Sequence, residues 1–261
     1  MELSVILDRL DAERRSLKRD GEVLEILPNI TRLHSADGSR HQIIFSSLTP
    51  EIADSAIARQ IAHYRELNVE VEWKAYAHDG PPDLLDRLAK QGCEIGPLEA
   101  VLALDLQSPP AWINQTPQTP VLRIAHPEQI RHFRTAAEII FGKDYQFTSN
   151  ELAEALRAGS TQHLGYVAMD GETPASVGRL YTHPDSAFGG LYGGGTLPTH
   201  RGRGLYRAVV AARARDAIKL GARYLIVDAL PTSRPILERL GFIRLTDTWA
   251  CVWKPRGNAE R

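Results

Sequence analysis

The chain has 261 residues, of which 43% are hydrophobic and 24% are charged, as in ordinary globular proteins. This length fits one large domain or two modest domains, and the composition excludes a chain that is disordered throughout. Thirty-one basic residues face 32 acidic ones, so the formal net charge is -1. The basic excess that is typical of nucleic-acid-binding proteins is missing, and we expect no nucleic-acid partner.

The cysteines and the hydropathy pattern predict a soluble cytoplasmic protein. Two cysteines, Cys93 and Cys251, are too few for a disulfide framework or a four-ligand metal site, so we predict no metal. Residues 1–20 mix apolar and charged side chains and lack the apolar core of a secretory signal. No apolar run approaches the roughly 20 residues that span a bilayer, so we expect no membrane partner.

A proline-rich segment divides the sequence. Residues 108–120 contain four of the 16 prolines and no charged residue. Proline fixes φ and disfavours the helical conformation in the residue before it, so we predict an extended, semi-rigid linker. The predicted domains are therefore residues 1–107 and 121–261. The alternative is a long surface loop within one domain.

The second predicted domain alternates between strand-like and helix-like segments. Strands are predicted at residues 121–126, 163–169, 175–182, 187–198, 222–230 and 246–254. Helices are predicted at 127–141, 148–158, 204–220 and 235–240, the second of them opening with a capping box of Thr148 and Glu151. A hairpin followed by a strand–helix–strand crossover predicts an α/β fold of the α+β kind, with a central mixed sheet flanked by helices.

The first predicted domain repeats part of this order. Strands are predicted at residues 43–48, 69–76 and 98–106, and helices at 51–67 and 83–91. The helical sequence at 84–88 matches that at 236–240, at the same place within each unit. We therefore predict a tandem duplication, with chance similarity between two short helices as the alternative.

The strand and turn at residues 189–207 carry the most specific chemistry. Five glycines crowd the strand, and Gly202 and Gly204 stand where the next helix begins. A helix start has unpaired N–H groups and about half a positive charge, so it binds anions. Basic residues cluster there within 19 residues, opposed only by Asp216: Arg201, Arg203, Arg207, Arg213, Arg215 and Lys219. The pattern predicts a pyrophosphate site, with a solvated helix face as the alternative for Arg213 and Arg215.

Two other phosphate-binding patterns fit less well. A Walker A loop requires Lys followed by Ser or Thr after the last glycine, where Leu205 and Tyr206 stand. A Rossmann fingerprint requires glycine at the position of Arg207. Because Asp228 at the end of the next predicted strand is placed like a ribose-binding acid, an NADP-linked oxidoreductase stays as an alternative.

The segment resembles the GNAT superfamily of acyl-CoA-dependent N-acyltransferases. Their pattern of Arg or Gln-x-x-Gly-x-Gly or Ala, after a strand that ends in Val-x-Pro, is similar to residues 196–206 here. Residues 233–242, which end in Gly-Phe, are similar to the closing helix of that family. The resemblance covers about residues 121–255 and implies a GNAT-like fold. It also implies that residues 1–107 are a degenerate GNAT-like half, since residues 47–54 carry two acids and neither arginine nor glycine.

The resemblance implies an acetyl-CoA-dependent N-acetyltransferase, in which a small-molecule or peptide amine attacks the acetyl carbon of acetyl-CoA, the co-substrate. The turn would hold the coenzyme A pyrophosphate on its backbone N–H groups, and the end of the strand would pair with the pantetheine arm. The implied cofactor-binding residues are Gly195, Thr196, Leu197, Arg201, Gly202, Arg203, Gly204, Leu205 and Tyr206. A non-catalytic acyl-CoA-binding module is a further alternative.

The catalytic groups depart from the family pattern. Leu237 stands where many members carry a tyrosine that protonates the leaving thiolate, and Ser233 is our candidate for that role, with capping of the short helix as its alternative. A lysine-like amine with a pKa of about 10.4 is almost entirely protonated at pH 7, so the reaction needs a base. Tyr192 stands where related enzymes often carry a carboxylate and is our candidate, beside His183, Asp185 and His200.

Overall fold

A computed structural model describes residues 2–18, 21–116 and 119–255. Residues 117 and 118 of the predicted linker lie outside the described residues. The chain divides into two compact units. Unit 1 comprises Met1–Leu102, Asp228–Pro235 and Arg244–Arg261, and unit 2 comprises Ala103–Val227 and Ile236–Ile243. The predicted boundaries at residues 107 and 121 stay a prediction.

Helices and strands alternate along most of the described chain. The α-helices are α1 (Leu3–Ser16), α2 (Pro50–Leu67), α3 (Leu84–Lys90), α4 (Pro127–Phe141), α5 (Gln146–Arg157), α6 (Leu205–Lys219) and α7 (Arg234–Arg239). The first strands are β1 (Glu22–Ile26), β2 (Ile30–Ser35), β3 (His41–Ser46), β4 (Val71–Tyr76), β5 (Glu94–Ile95) and β6 (Glu99–Asp105). The later strands are β7 (Val121–Arg123), β8 (His163–Asp170), β9 (Thr173–Tyr181), β10 (Phe188–Thr196), β11 (Tyr224–Ala229) and β12 (Ile243–Trp253). In the described part of the chain no helix is both long and apolar enough to cross a membrane.

Unit 1 contains a mixed sheet with the strand order β1-β2-β3-β4-β12. Strands β3 and β4 are parallel, as expected when a helix, here α2, connects them. The other pairs along this order, β1–β2, β2–β3 and β4–β12, are antiparallel. Its core joins Ile57 and Tyr64 of α2 to Trp73 of β4 and to Cys251 and Trp253 of the last strand. Strand β12 thus completes the core of unit 1.

Unit 2 contains a second run of paired strands, in the order β11-β10-β9-β8-β7. Strands β10 and β11 are parallel and joined by α6, whereas β9 pairs antiparallel with both β10 and β8, and β7 pairs antiparallel with β8. Helices α4 and α5 pack on one face of these strands, where Phe133, Ala137 and Leu152 share a core with Val177 of β9. The prediction of a mixed sheet flanked by helices is therefore confirmed.

Two local predictions were wrong. The helix expected to open at Thr148 begins two residues earlier, at Gln146, so Thr148 and Glu151 lie inside it and form no capping box. The proline-rich segment is not extended throughout, because Ala111–Asn114 form a 3-10 turn. Ile113 of this turn is fully buried, and the indole of Trp112 donates a hydrogen bond to the carbonyl of Leu240. Burial of these two apolar side chains outweighs the extended preference of the prolines.

Candidate functional site

Strand β10 is interrupted by a bulge within its run of glycines. Tyr192 pairs with Arg179 of β9, and the next recorded pair joins Gly195 to Val177, so two residues of β10 stand opposite one of β9. The first of them, Gly193, has a φ of 51°, the left-handed conformation that glycine adopts at many bulges. Pairing of β10 with the parallel strand β11 covers Phe188–Gly190. Among the described residues, the end of β10 therefore has no recorded pairing with β11, whereas its pairing with β9 resumes after the bulge at Gly195 and Thr196.

The glycines of β10 make room for the protein's own side chains. A Cβ atom on Gly195 would lie 2.5 Å from Ile140 Cγ2 of α4, and one on Gly189 would lie 3.1 Å from the Cβ of Ala217 of α6. A Cβ on Gly194 would lie 3.2 Å from both the ring of Tyr206 and the guanidinium of Arg213. Close helix packing is thus the physical reason for these glycines.

The turn between β10 and α6 presents bare backbone amides. In the described residues the amide N–H groups of Gly202, Arg203, Gly204, Leu205 and Tyr206 have no hydrogen-bond partner. Gly204 is the N-cap residue of α6 and supplies no side chain to cap them. A Cβ atom on either Gly202 or Gly204 would meet nothing within 4 Å, so the space in front of the turn is open. The start of this 15-residue helix is therefore ready to accept an anion.

Arginine side chains flank these amides. Arg201 is exposed, and its Nε donates a 3.4 Å hydrogen bond to the carbonyl of Thr196. Arg203 is exposed and forms a bidentate ion pair with Asp170, at 2.6 and 3.0 Å. The imidazole Nε2 of His200 lies 3.3 Å from the same carboxylate. A phosphate that binds Arg203 would have to compete with Asp170.

The end of β10 is held by hydroxyl groups. The Ser176 hydroxyl donates a 2.7 Å hydrogen bond to the carbonyl of Gly195 and lies 2.9 Å from the hydroxyl of Thr196. The amide of Leu197 donates to the carbonyl of Ala175 at 2.9 Å. Both Thr196 and Leu197 are buried. This anchoring gives the start of the turn a defined backbone direction.

The position of Arg213 agrees with neither role predicted from the sequence, phosphate binding or a place on a solvated helix face. It lies neither in the solvated face of α6 nor beside the open turn, because it is 1% exposed and packs beneath β9 and β10. Its guanidinium donates to the carbonyls of Arg179 and Val209, and its NH2 group is buried without a hydrogen-bond partner among the described residues. Burial lowers the pKa of Arg213, and burial also raises that of the neighbouring Tyr206. Arg213 places a positive charge under the bulge.

The two predicted catalytic residues occupy different surroundings. Tyr192 lies at the bulge, is 43% exposed, and makes an edge-to-face contact with Tyr181 at 4.9 Å between ring centroids. Ser233 precedes α7 and is part of unit 1, where its hydroxyl donates to the carbonyl of Leu230 at 3.2 Å. Leu237, which stands in the position of the family's tyrosine, is fully buried.

The remaining candidates for the base are His183, Asp185 and His200, of which only Asp185 is exposed. Asp185 is exposed and lies 3.9 Å from Nδ1 of His183. In the turn between β10 and α6, Nδ1 of His200 lies 2.9 Å from the hydroxyl of Thr199, and its Nε2 lies 3.3 Å from the carboxylate of Asp170 in the β8–β9 hairpin.

The acid predicted for the NADP alternative is already paired. Asp228 lies 3.0 Å from the ammonium of Lys74, which also contacts Glu99 at 3.2 Å. Burial by itself lowers the pKa of Lys74, but the two carboxylates outweigh burial and raise it. A carboxylate held in this way is poorly placed to accept hydrogen bonds from a ribose.

Sequence reasoning missed two side chains, Asp170 beside the turn and Arg179 beside the bulge. Asp170 sits at the tip of the β8–β9 hairpin, and Arg179 is the one charged residue of strand β9. The charge of Arg179 between Val177 and Leu180 was the signal available in the sequence. The face of β9 on which the Arg179 side chain lies depends on the pairing register between Arg179 and Tyr192, and the sequence did not specify that register.

A family model described as FR47-like protein matches residues 164–253, a segment that runs from β8 to β12 and includes the turn. A search of curated proteins found no match to the sequence.

Similar folds occur among solved structures. A GCN5-related N-acetyltransferase from Kribbella flavida is 15% identical, covers 98% of this chain and 95% of its own, and gives a TM-score of 0.66. Another from Sphaerobacter thermophilus is 15% identical and covers 93% of this chain and 86% of its own, with a TM-score of 0.59. A tandem GNAT protein from the clavulanic acid biosynthesis pathway is 16% identical and covers 90% and 84%, with a TM-score of 0.57.

Proposed function

We propose that this chain, which has the fold of GNAT N-acetyltransferases and an FR47-like segment at residues 164–253, is an acetyl-CoA-dependent N-acetyltransferase. The observation that carries the proposal is the row of unpartnered amides from Gly202 to Tyr206 at the start of α6. A helix start flanked by Arg201 and Arg203 suits a pyrophosphate, because amides and guanidiniums both donate hydrogen bonds to phosphate oxygens.

The proposed reaction transfers an acetyl group from the thioester to an amine. The neutral amine attacks the acetyl carbonyl carbon, a C–N bond forms, the C–S bond breaks, and coenzyme A leaves as the thiolate. A thiol has a pKa of about 8.5, so the thiolate is a tolerable leaving group without a protein acid. The proton lost by the amine passes to a base or to water, and Tyr192 at the bulge is our candidate to direct it. We propose that the end of β10, at Gly195, Thr196 and Leu197, holds the pantetheine arm.

A non-catalytic acyl-CoA-binding module is the second candidate. The buried Leu237 and the hydrogen bond from Ser233 to a backbone carbonyl favour it, because neither residue is positioned as a proton donor. Measuring acetyl-CoA consumption over a panel of primary amines separates the two functions. Consumption with any amine supports the enzyme, whereas tight binding without consumption supports the module.

Calorimetric titration with acetyl-CoA tests the proposed site. Arg201→Ala removes a charge-assisted contact to phosphate, so we expect binding to weaken by about 1.5–3 kcal/mol, roughly 10- to 150-fold. Arg131→Ala, which removes an exposed arginine from α4, is the matched control and is expected to leave the affinity unchanged. Equal dissociation constants for the wild type and Arg201→Ala would contradict this site.

We extend the proposal to the cellular location, the acceptor and the origin of the first predicted domain. We propose that it acts in the cytoplasm on a small-molecule or peptide amine, and that residues 1–107 derive from a duplicated GNAT-like unit without a phosphate turn.

A further inference from the structure

A second cationic group lies on the opposite face of β9 from Arg213. Arg179 pairs with Tyr192 at the bulge, so the two side chains share one face of the strands, the face on which Val177 joins the core of α4 and α5. A Cβ atom on Gly193 would lie 3.4 Å from Arg179 Nε and 3.5 Å from its NH2 group. The guanidinium thus lies against the bulge itself.

The guanidinium of Arg179 is incompletely paired. Its NH1 group donates a 3.1 Å hydrogen bond to the hydroxyl of Tyr181, and the carboxylate of Glu151 lies 3.8 Å away, beyond hydrogen-bond distance. Its Nε is buried and has no partner in the described structure. The side chain is only 15% exposed. A guanidinium has five N–H donors, and one this far removed from water usually meets a carboxylate or phosphate.

The groups around Arg179 carry positive charge and little negative charge. Arg213 lies on the other side of β9 and donates to the backbone carbonyl of Arg179. Burial and then the charge of Arg179 lower the pKa of His163 to about 3, so this imidazole is neutral at physiological pH. Glu151 is the one carboxylate recorded within 4 Å of Arg179 among the described residues. The group therefore has an excess of positive charge that an anionic ligand would balance.

Aromatic rings border the guanidinium. The imidazole of His163 stacks on the ring of Tyr181 at 4.1 Å between centroids, and Tyr181 contacts Tyr192 edge to face. Because Tyr192 is 43% exposed, this wall reaches solvent. His163 also lines a small cavity of about 110 Å³ beside α5. The site combines a buried cation with an open aromatic wall.

We infer that Arg179 binds the carboxylate of the acceptor, which is therefore an amine that carries an acid group, such as an amino acid. This inference rests on the proposed function and deepens it. Gly193 lies two residues before Gly195, about 7 Å along the strand, and Gly195 is at the proposed position of the thioester. If the carboxylate of an acceptor binds Arg179, an amine a few bonds from that carboxylate in the same molecule is therefore held near the thioester. The bidentate geometry of Arg with carboxylate also orients the amine.

Binding of the acetylated product tests the inference without turnover. The probes are N-acetylglycine, N-acetylleucine and N-acetylphenylalanine, each compared by calorimetry with its carboxamide, which differs only in the charge of the acid end. We expect at least one acid to bind the wild type about 10- to 100-fold more tightly than its amide, and Arg179→Gln to abolish this difference. Arg179→Lys keeps the charge but loses the bidentate contact, and should retain part of the preference.

Folding and the proposed function are controlled separately. Thermal unfolding identifies a variant that fails to fold, and in that case Arg179→Lys carries the test. Arg131→Gln is the matched control and should keep the full preference for acids. Acetyl-CoA affinity should be equal in the wild type and Arg179→Gln, because Arg179 lies outside the turn between β10 and α6.

Two results would overturn the inference. One is that acids and amides bind the wild type equally, or that none of them binds; the other is that Arg179→Gln keeps the preference. If acids bind through Arg179 while the wild type binds no acetyl-CoA, the carboxylate site stands and the proposed transferase function fails. If acetyl-CoA is consumed with glycinamide, leucinamide and phenylalaninamide as readily as with the corresponding free amino acids, the transferase stands and the carboxylate site fails.

Discussion

At the scale of single residues, the turn between β10 and α6, which we propose binds coenzyme A, depends on a backbone conformation that few residues adopt. Gly204 has a φ of 79° and Gly202 a φ of 76°, and a Cβ atom at either position would meet open space. Glycine is therefore needed here for its left-handed conformation and not for room. In that conformation the amides of the first turn of α6 stay exposed for a ligand.

Gly204→Ala should lower the free energy of unfolding by about 1–2 kcal/mol, because an L-residue with a side chain is strained in the left-handed region. Gly204→Asn should lose less, since asparagine visits that region more readily. Chemical denaturation measures both, and titration with acetyl-CoA should rank the wild type, Asn and Ala variants in the same order. Equal losses for Asn and Ala would show that the conformation is not the cause.

At the scale of elements, the contact between β10 and α4 explains the glycine at position 195. The missing side chain of Gly195 allows Ile140 and the ring of Phe141 to approach the strand, with Ile140 Cγ2 2.5 Å from where a Cβ atom would be. The glycine interpreted from the sequence as an approach for a ligand has a packing role on this face.

Gly195→Ala should destabilise the protein by about 1–3 kcal/mol through overpacking against α4. Ile140→Ala removes the nearest atom, so the double variant should be more stable than the sum of the two single losses predicts. Thermal or chemical denaturation of the three variants gives the coupling energy. Strictly additive losses would mean that the strand moves away from the helix and that the contact is not the cause.

At the scale of the whole molecule, segments that are distant in sequence form the sheet of unit 1. Strand β12 pairs with β4 from Thr248 opposite Tyr76 to Trp253 opposite Val71. Cys251 and Trp253 enter the core formed by α2 and β4. Residues 1–107 therefore do not include β12, which is a strand of the sheet of unit 1.

A fragment of residues 1–107 should not unfold cooperatively, whereas the same fragment joined through a flexible linker to residues 243–255 should recover a cooperative transition. The reason is that β12 pairs the edge of β4 and buries Cys251 and Trp253. Near-ultraviolet circular dichroism during heating measures the change. A matched control carries Cys251→Asp, which puts a charge into the core and should prevent recovery. Cooperative unfolding of residues 1–107 alone would contradict this prediction. We also expect that neither fragment binds acetyl-CoA.

Local patterns in the sequence predicted most elements of unit 2 to within a few residues. The order β8, β9, β10, α6, β11 and the parallel crossover follow from periodicity and glycine positions, and they hold in the structure. The start of α5 was misplaced because Thr148 and Glu151 match a cap pattern by chance inside a helix. Strands β1 and β2 were not predicted, since their charged residues hide the alternation of a half-buried strand.

The sequence alone thus predicted a mixed sheet. It also predicted a turn of glycines and arginines at a helix start, whose amides find no partner nearby along the chain. Three-dimensional pairing decided the rest. It turned Arg213 inward, set Arg179 beside the bulge, and brought the last strand to β4. The physical reason is that a side chain's surroundings depend on register and packing between segments distant in sequence, whereas backbone conformation and helix-start electrostatics depend on a few adjacent residues.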